Sequence, residues 1–205
     1  MGLYLGKDKI SALRTIEKKT QSMKAYLEAG GKCSGNKVVS FEGCWQASDW
    51  ENVTDCSDMF DYCQDLTLIP AMNTGNVTNM HNMFSSCSRL TSIPMLDTSK
   101  VTNMRNMFNY CSKLTSVPAM NTSNVTDMGS MFNHCSNIET IHMHGMKVSF
   151  NISASTKFTR DALVEILNNL ATVTTSPTLT MGSTNLAKLT DADKAIATGK
   201  GWKLE

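Results

Sequence analysis

The sequence is poor in net charge and in long apolar runs, and each shortage excludes a class of protein. Its 205 residues carry 19 Lys and Arg against 18 Asp and Glu, a formal net charge of +1, so the chain has no general attraction for nucleic acid or for a membrane surface. No stretch reaches the ~18 apolar residues that a membrane-spanning helix needs, and the first residues lack the apolar core of a signal peptide. We therefore expect no nucleic-acid partner, no membrane insertion and no signal peptide.

The sequence also lacks the motifs of enzymes and of cofactor sites. It contains no phosphate-binding loop, dinucleotide fingerprint or nucleophile elbow. His142 and His144 would face one side of a strand as candidate metal ligands, but no third ligand stands at a characteristic spacing. His134 next to Cys135 is a candidate for nucleophilic catalysis, yet adjacent residues on a turn point apart. We predict that the protein is not an enzyme and binds no cofactor. Whether His142 and His144 bind a metal ion stays open.

What the sequence does contain is a block of 24 residues that occurs four times between Val53 and Met146. The recurring positions are Val53, Val77, Val101 and Val125; Thr54, Thr78, Thr102 and Thr126; Met59, Met83, Met107 and Met131; Phe60, Phe84, Phe108 and Phe132; and Cys63, Cys87, Cys111 and Cys135. A fixed period of this length is typical of a solenoid, in which each unit buries its apolar face against its neighbours. We predict an α/β fold, a right-handed, leucine-rich-repeat-like solenoid of 24-residue coils that is capped at both ends.

Within each copy, the pattern predicts a short helix and a short strand. Thr102 is a good N-cap for a helix over residues 103–108, on which Met104 and Phe108 would lie one turn apart on a buried face. The residue before a proline favours extended backbone, so Pro118 is predicted to border a strand. Each coil is therefore expected to place a short helix opposite a short strand, with the strands stacked in parallel.

The cysteine count is odd, at seven, and four of the seven are repeat positions. Equivalent residues of adjacent coils stack ~4.8 Å apart with parallel side chains, whereas a disulfide needs converging Cβ atoms ~3.8 Å apart. Four sulfur atoms in a row also cannot form the tetrahedron of a zinc site. We predict that these four, which we call the ladder cysteines (Cys63, Cys87, Cys111 and Cys135), are buried free thiols that act as small hydrophobic side chains.

Four segments are expected along the chain. Residues 1–37, with eight Lys and Arg against three Asp and Glu, are predicted to form a strand and helix that dock or cap; the alternative is a solvated helix face. Residues 38–52 form an irregular coil that leads into the first repeat, and the four repeats occupy 53–148. Residues 149–205 form a C-terminal cap of two larger helix–strand coils.

The prediction for the C-terminal cap depends on capping residues and on spacing. Thr159 is expected to cap one helix, and Thr190 with Asp193 to open a second one as a capping box. Short strands are predicted around Leu179 and Leu204, which lie 25 residues apart, close to the repeat period. The stack of coils is therefore expected to continue to the C-terminal end.

The string TSKVTNMRNMFNYCSKLTSV from Thr98 to Val117 closely resembles the repeat of BspA-like leucine-rich-repeat surface proteins. That repeat has the pattern D-T-S-x-V-T-x-M-x-x-M-F-x-x-C-x-x-L-T-S-L, and about eleven positions agree in every copy. The resemblance implies recognition, namely adhesion to a protein or glycan on a host surface.

Two shorter resemblances point to a phage. The tail from Leu179 to Trp202 looks like the ending of such proteins in gut bacteria and their phages, and Tyr4 to Ser11 is similar to the N-terminal elements of phage tail-region proteins. Surface members of the family carry export or anchoring signals, and none is expected in this sequence. We therefore expect a virion component of the tail or capsid, docked on other virion proteins through the basic N-terminal segment. The alternatives are a bacterial surface adhesin-like protein and an intracellular interaction scaffold. An oligomer is compatible with each.

Candidate binding residues are those that differ between copies while the core positions do not. Exposed Tyr, Arg and His side chains are typical anchors of interfaces. The candidate binding face, taken from the slots around each ladder cysteine, comprises Tyr62, His81, Arg89, Arg105, Tyr110, Lys113 and His134. The alternative is unselected variation on a solvated face.

Overall fold

The structure is a computed structural model that describes residues 50–69 and 71–205. The predicted N-terminal segment (1–37) and most of the coil after it (38–52) lie outside the described residues. The elements, in chain order, are β1 (Ser116–Asn121), β2 (Thr140–His144), β3 (Phe150–Asn151), α1 (Arg160–Asn169), β4 (Thr178–Thr180), α2 (Ser183–Leu186), α3 (Asp191–Gly199) and β5 (Lys203–Leu204). In this described part, no helix has the length and apolar character to cross a membrane.

Successive repeats pair with each other in parallel, one coil beside the next. Parallel bridges join Asp55 to Asn79, Asn79 to Asn103, and Asn103 to Asp127. Each bridge therefore links residues one period apart in the chain. The assignment of this stack to a right-handed, leucine-rich-repeat-like solenoid stays a prediction.

The prediction of a short helix within each repeat is wrong. In the third copy, residues 103–108 form tight turns, in which the amide of Met107 donates to the carbonyl of Met104 at 3.2 Å. Alternate amides point out of the coil, and that of Phe108 donates to the carbonyl of Met131 in the next copy at 3.0 Å. A helix would direct these amides along its own axis rather than sideways toward the next coil. Pairing between coils therefore overrides local helix propensity.

Threonine and asparagine side chains build these turns. Oγ1 of Thr102 donates to the carbonyl of Thr78 in the preceding copy at 3.1 Å, so Thr102 is not the N-cap that was predicted. The side-chain oxygen of Asn103 accepts from the amide of Arg105 at 3.0 Å, which forms an Asx turn. Asn106 then adopts a positive φ of 56°, a conformation in which Asn is enriched. The polar residues thus shape the backbone rather than merely face solvent.

The third and fourth copies extend their pairing into two parallel strands, β1 and β2. Val117 lies opposite Ile141, and Met120 opposite Met143, with a shift of register between the two pairs. Pro118 lies at that shift and has no amide hydrogen to donate. The proline that was predicted to border a strand therefore lies inside it, at an irregularity that tolerates the missing donor.

A ladder of phenylalanine rings runs through the centre of the stack. Its members, in order, are Phe60, Phe84, Phe108 and Phe132, with ring centroids 5.4, 5.7 and 5.8 Å apart. The rings are stacked nearly parallel and are fully buried. The ladder cysteines are buried beside them as free thiols. This confirms the prediction that these four cysteines are buried and form no disulfide. Each coil thus buries its apolar face against its neighbours.

The C-terminal elements agree with those predicted. The side chain of Thr159 caps α1, and Thr190 with Asp193 forms the capping box of α3. Leu179 pairs with Leu204 in the parallel sheet of order β3–β4–β5. The short helix α2 was not predicted. Parallel pairing at nearly the repeat period therefore continues to the C-terminal end.

Candidate functional site

A groove crosses one side of the stack next to the ladder cysteines. It has a volume of about 430 Å³ and is lined by Tyr62, Gln64, Ser86, Ser88, Tyr110, Ser112 and His134. The first three copies each contribute the residue before and the residue after the ladder cysteine, and the fourth copy contributes only the residue before it. The slot before the ladder cysteine differs between copies, whereas the slot after it is glutamine in the first copy and serine in the others.

Two rings of the groove are stacked on each other. The ring centroids of Tyr110 and His134 are 4.0 Å apart and the ring planes differ by 13°. Tyr62 and Tyr110 are 56% and 51% exposed, so each ring offers apolar surface to a ligand. Ser86 occupies the equivalent slot of the coil between these two tyrosines. The column of rings therefore has a gap at Ser86.

The backbone at this slot lies in the left-handed region. The φ angles are 57° at Tyr62, 60° at Ser86, 60° at Tyr110 and 61° at His134. Such a conformation costs of order 1–3 kcal/mol for a residue other than glycine. The stack imposes it, since the amide of Tyr110 donates to the carbonyl of Asn133 in the next copy at 2.9 Å. Bulky rings therefore occupy positions that glycine or asparagine would fill with less strain.

The structure brings three of the seven predicted binding residues into the groove: Tyr62, Tyr110 and His134. Three of the other four lie beside a carboxylate of a neighbouring coil. Those pairs are Arg89 with Asp65 at 3.1 Å, Arg105 with Asp127 at 3.7 Å, and His81 with Asp58 at 3.8 Å. Lys113 is exposed and does not line the groove. The seven residues therefore do not converge on this groove, and three of them face carboxylates between coils.

Sequence reasoning missed the residues that follow the ladder cysteines. The hydroxyls of Ser88 and Ser112 donate to the carbonyls of Gln64 and Ser88 of the preceding coils, both at 3.4 Å. Their oxygen lone pairs remain available as acceptors in the groove. The available signal was position: these residues are adjacent to a recurring cysteine, but serine and glutamine are not typical anchor residues.

Among the described residues, the histidines and the ladder cysteines are not arranged as a metal site or as an activated nucleophile. Nδ1 of His142 lies 2.6 Å from Oε1 of Glu165, and within residues 50–69 and 71–205 no group of three or more His, Cys, Asp or Glu side chains could hold a metal ion. Burial raises the pKa of the Cys135 thiol to about 12 and the pKa values of Cys87 and Cys111 well above their ordinary value. These thiols are therefore protonated and poor nucleophiles at neutral pH.

Comparison with known proteins places the chain in a family through its repeats. Neither the curated proteins nor the solved structures contain a match to the chain. Residues 33–146 match the family described as "Mycoplasma protein of unknown function, DUF285". That family is associated with BspA-like surface repeat proteins of Mycoplasma and other Mollicutes. Because the match spans more than half of the 205 residues, including the four repeats, the chain belongs to the DUF285 family.

Proposed function

We propose that this chain is a non-catalytic recognition protein of the surface-repeat type, which binds a host-surface partner through the groove. The observation that carries the proposal is the presence of the bulky rings of Tyr62 and Tyr110 at positive φ. A purely structural role would be served with less strain by glycine or asparagine at these positions. Strain that persists at exposed side chains is a reason to infer function.

The form of the groove supports recognition. Tyrosine supplies a large, rigid contact surface with a polar tip, and half-exposed rings are typical anchors of interfaces. The rings stand on a backbone that is hydrogen-bonded from coil to coil, as in the pairing of Phe108 with Met131 at 3.0 Å. Such a preorganised surface loses little conformational freedom on binding.

The placement of the protein is a second part of the proposal. The resemblance of residues 179–202 to the ending of such proteins in gut bacteria and their phages, and of residues 4–11 to phage tail-region proteins, supports a virion component docked through the basic segment 1–37. The association of the family with surface repeat proteins supports the alternative of a bacterial surface protein, and an intracellular scaffold is the third placement. Antibody detection in purified phage particles, on intact cells and in cytosol distinguishes the three, because each placement predicts a different fraction.

The test of the proposed function measures adhesion of the purified chain to host cells by flow cytometry. The host cells are bacterial for the virion placement and animal for the bacterial-surface placement. Tyr62→Asn and Tyr110→Asn together should reduce binding at least tenfold, while Tm is unchanged or higher because Asn tolerates the left-handed backbone. Lys113→Ala, exposed and outside the groove, is the control. Full adhesion by the double variant would contradict the proposal.

A further inference from the structure

The gap at Ser86 corresponds to one missing ring in the column of rings. The slots before the ladder cysteines hold a ring in the first, third and fourth copies and a serine in the second. Tyr110 and His134, in adjacent coils, are stacked at 4.0 Å, so the column of rings follows the direction in which the coils stack. Between Tyr62 and Tyr110, therefore, one place in the column is open.

The gap has the size of a single six-membered ring. Because adjacent coils are ~4.8 Å apart, the ring centres of Tyr62 and Tyr110, two coils apart, are expected to be ~10 Å apart. The centre of a ring placed midway between them would then lie ~5 Å from each tyrosine ring centre. The protein's own core contains such a sandwich, where Phe84 lies 5.4 Å from Phe60 and 5.7 Å from Phe108. The groove volume of about 430 Å³ is roughly three times a ~150 Å³ cavity that holds benzene. A ring with several substituents therefore fits.

The chemistry of the lining is apolar at the faces and neutral but polar at the edges. Tyrosine rings bound the gap, and amide and hydroxyl groups of Gln64, Ser88 and Ser112 surround it. Apart from the imidazole of His134, which is stacked on Tyr110, the described residues that line the groove include no titratable side chain of Asp, Glu, Lys or Arg. A charged ligand would be desolvated there without an opposite charge to pair with. The lining therefore selects a neutral ring.

A pyranose sugar has the matching surface. Its C–H faces are apolar and stack on aromatic rings, and its hydroxyls project from the ring edge toward hydrogen-bonding groups. An aromatic side chain of a partner protein would fill the same space, but it would cover the serine and glutamine groups without replacing their bonds to water. A sugar hydroxyl replaces those bonds.

We propose that the gap binds one neutral sugar ring of a glycan, sandwiched between Tyr62 and Tyr110 above Ser86. This inference rests on the proposed function and names the ligand class of the same groove. The tyrosines supply the stacking faces, and the polar residues at the edge orient the hydroxyls. The serine of the second copy is the specificity determinant, because any larger residue there closes the gap.

The test titrates the full chain with cellobiose, lactose and di-N-acetylchitobiose and follows the tyrosine ring signals by NMR. N-acetyltryptophanamide is the probe for an aromatic partner side chain. We expect at least one disaccharide to shift the signals of Tyr62 and Tyr110 saturably, with millimolar affinity. Ser86→Tyr, which installs the residue of the first and third copies, should abolish the shifts, and Lys113→Ala should preserve them. Ser86→His, which matches the fourth copy, replaces Ser86→Tyr if that variant does not fold.

Three outcomes overturn the sugar inference: no disaccharide shifts the ring signals, Ser86→Tyr binds as the natural chain does, or N-acetyltryptophanamide alone binds. Adhesion to host cells is measured separately and does not depend on these probes. Tyr110-dependent adhesion without sugar binding would therefore overturn the ligand class and leave the proposed function standing. If the natural chain shows neither groove-dependent adhesion nor sugar binding, both the proposed function and the sugar inference are overturned.

Discussion

The thiol of Cys111 donates a hydrogen bond of 3.0 Å to the carbonyl oxygen of Phe84, 27 residues earlier in the chain and one coil away. The same bond joins Cys87 to Phe60 at 3.1 Å and Cys135 to Phe108 at 2.8 Å. The Phe84 carbonyl also accepts from the amide of Cys87 at 3.1 Å, so the thiol occupies its second lone pair. Cysteine at this position is therefore a donor between coils as well as a small core residue.

We expect the native protein to protect Cys111 from alkylation. Burial raises its pKa well above the ordinary value, and the thiolate is the reactive form. Iodoacetamide at mildly alkaline pH should leave the peptide that contains Cys111 unlabelled until denaturant is added, as judged by mass spectrometry. Equal labelling rates with and without denaturant, or a disulfide between two ladder cysteines, would contradict the burial and the stacking.

Phe108→Ala should lower the free energy of unfolding by about 3–5 kcal/mol, the range for removal of a buried aromatic side chain. Both neighbouring rings lose a stacking partner, and in a stack of coupled coils the loss threatens the whole fold. Tyr110→Ala, two residues along on the exposed side, should stay within about 0.5 kcal/mol of the natural chain. Urea unfolding measures both. A loss below about 1 kcal/mol for Phe108→Ala would show that this ring is not part of the core.

Two glycines at the C-terminal end of the last helix, Gly199 inside it and Gly201 after it, should respond differently to alanine. Gly201 has a φ of +86°, and a Cβ there would clash with the carbonyl oxygen of Val173, whereas a Cβ at Gly199 meets nothing within 4 Å. Gly201→Ala should therefore cost about 1–3 kcal/mol or more. Gly199→Ala, at the end of α3, should be neutral or stabilising by up to about 1 kcal/mol. Thermal unfolding compares the two variants, and similar Tm values would count against this account.

Acid should weaken the contact between α1 and α3. Hydrogen bonds from Arg160, at 2.6 and 2.8 Å, lower the pKa of Asp193 to about 2. Because the unfolded-state pKa of Asp is ~3.9, the contribution of this carboxylate to stability is complete above that value and is lost as the pH falls toward 2. Asp193→Asn should therefore be less stable than the natural chain at neutral pH, and the difference should shrink in acid. A constant difference from neutral to acid pH would refute the assignment.

The sequence by itself determined the two buried ladders and where two of the three C-terminal helices, α1 and α3, begin. The recurrence of phenylalanine and cysteine every 24 residues identified the two ladders, because equivalent positions of stacked coils share one environment. Thr159 and Thr190 identified two helix starts, because a cap is a local interaction within a few residues. Both kinds of signal are present in the order of the residues alone.

Only the tertiary structure decided the backbone of the repeats and the contents of the groove. The spacing of Met104 and Phe108 fits a helix, yet the amide of Phe108 finds its acceptor at Met131, in the following coil. The stack of Tyr110 on His134 likewise joins residues of different coils, whose distance depends on that pairing. A hydrogen bond to a distant coil leaves no local pattern in the sequence, and so the turns and the gap at Ser86 emerge only when the coils are stacked.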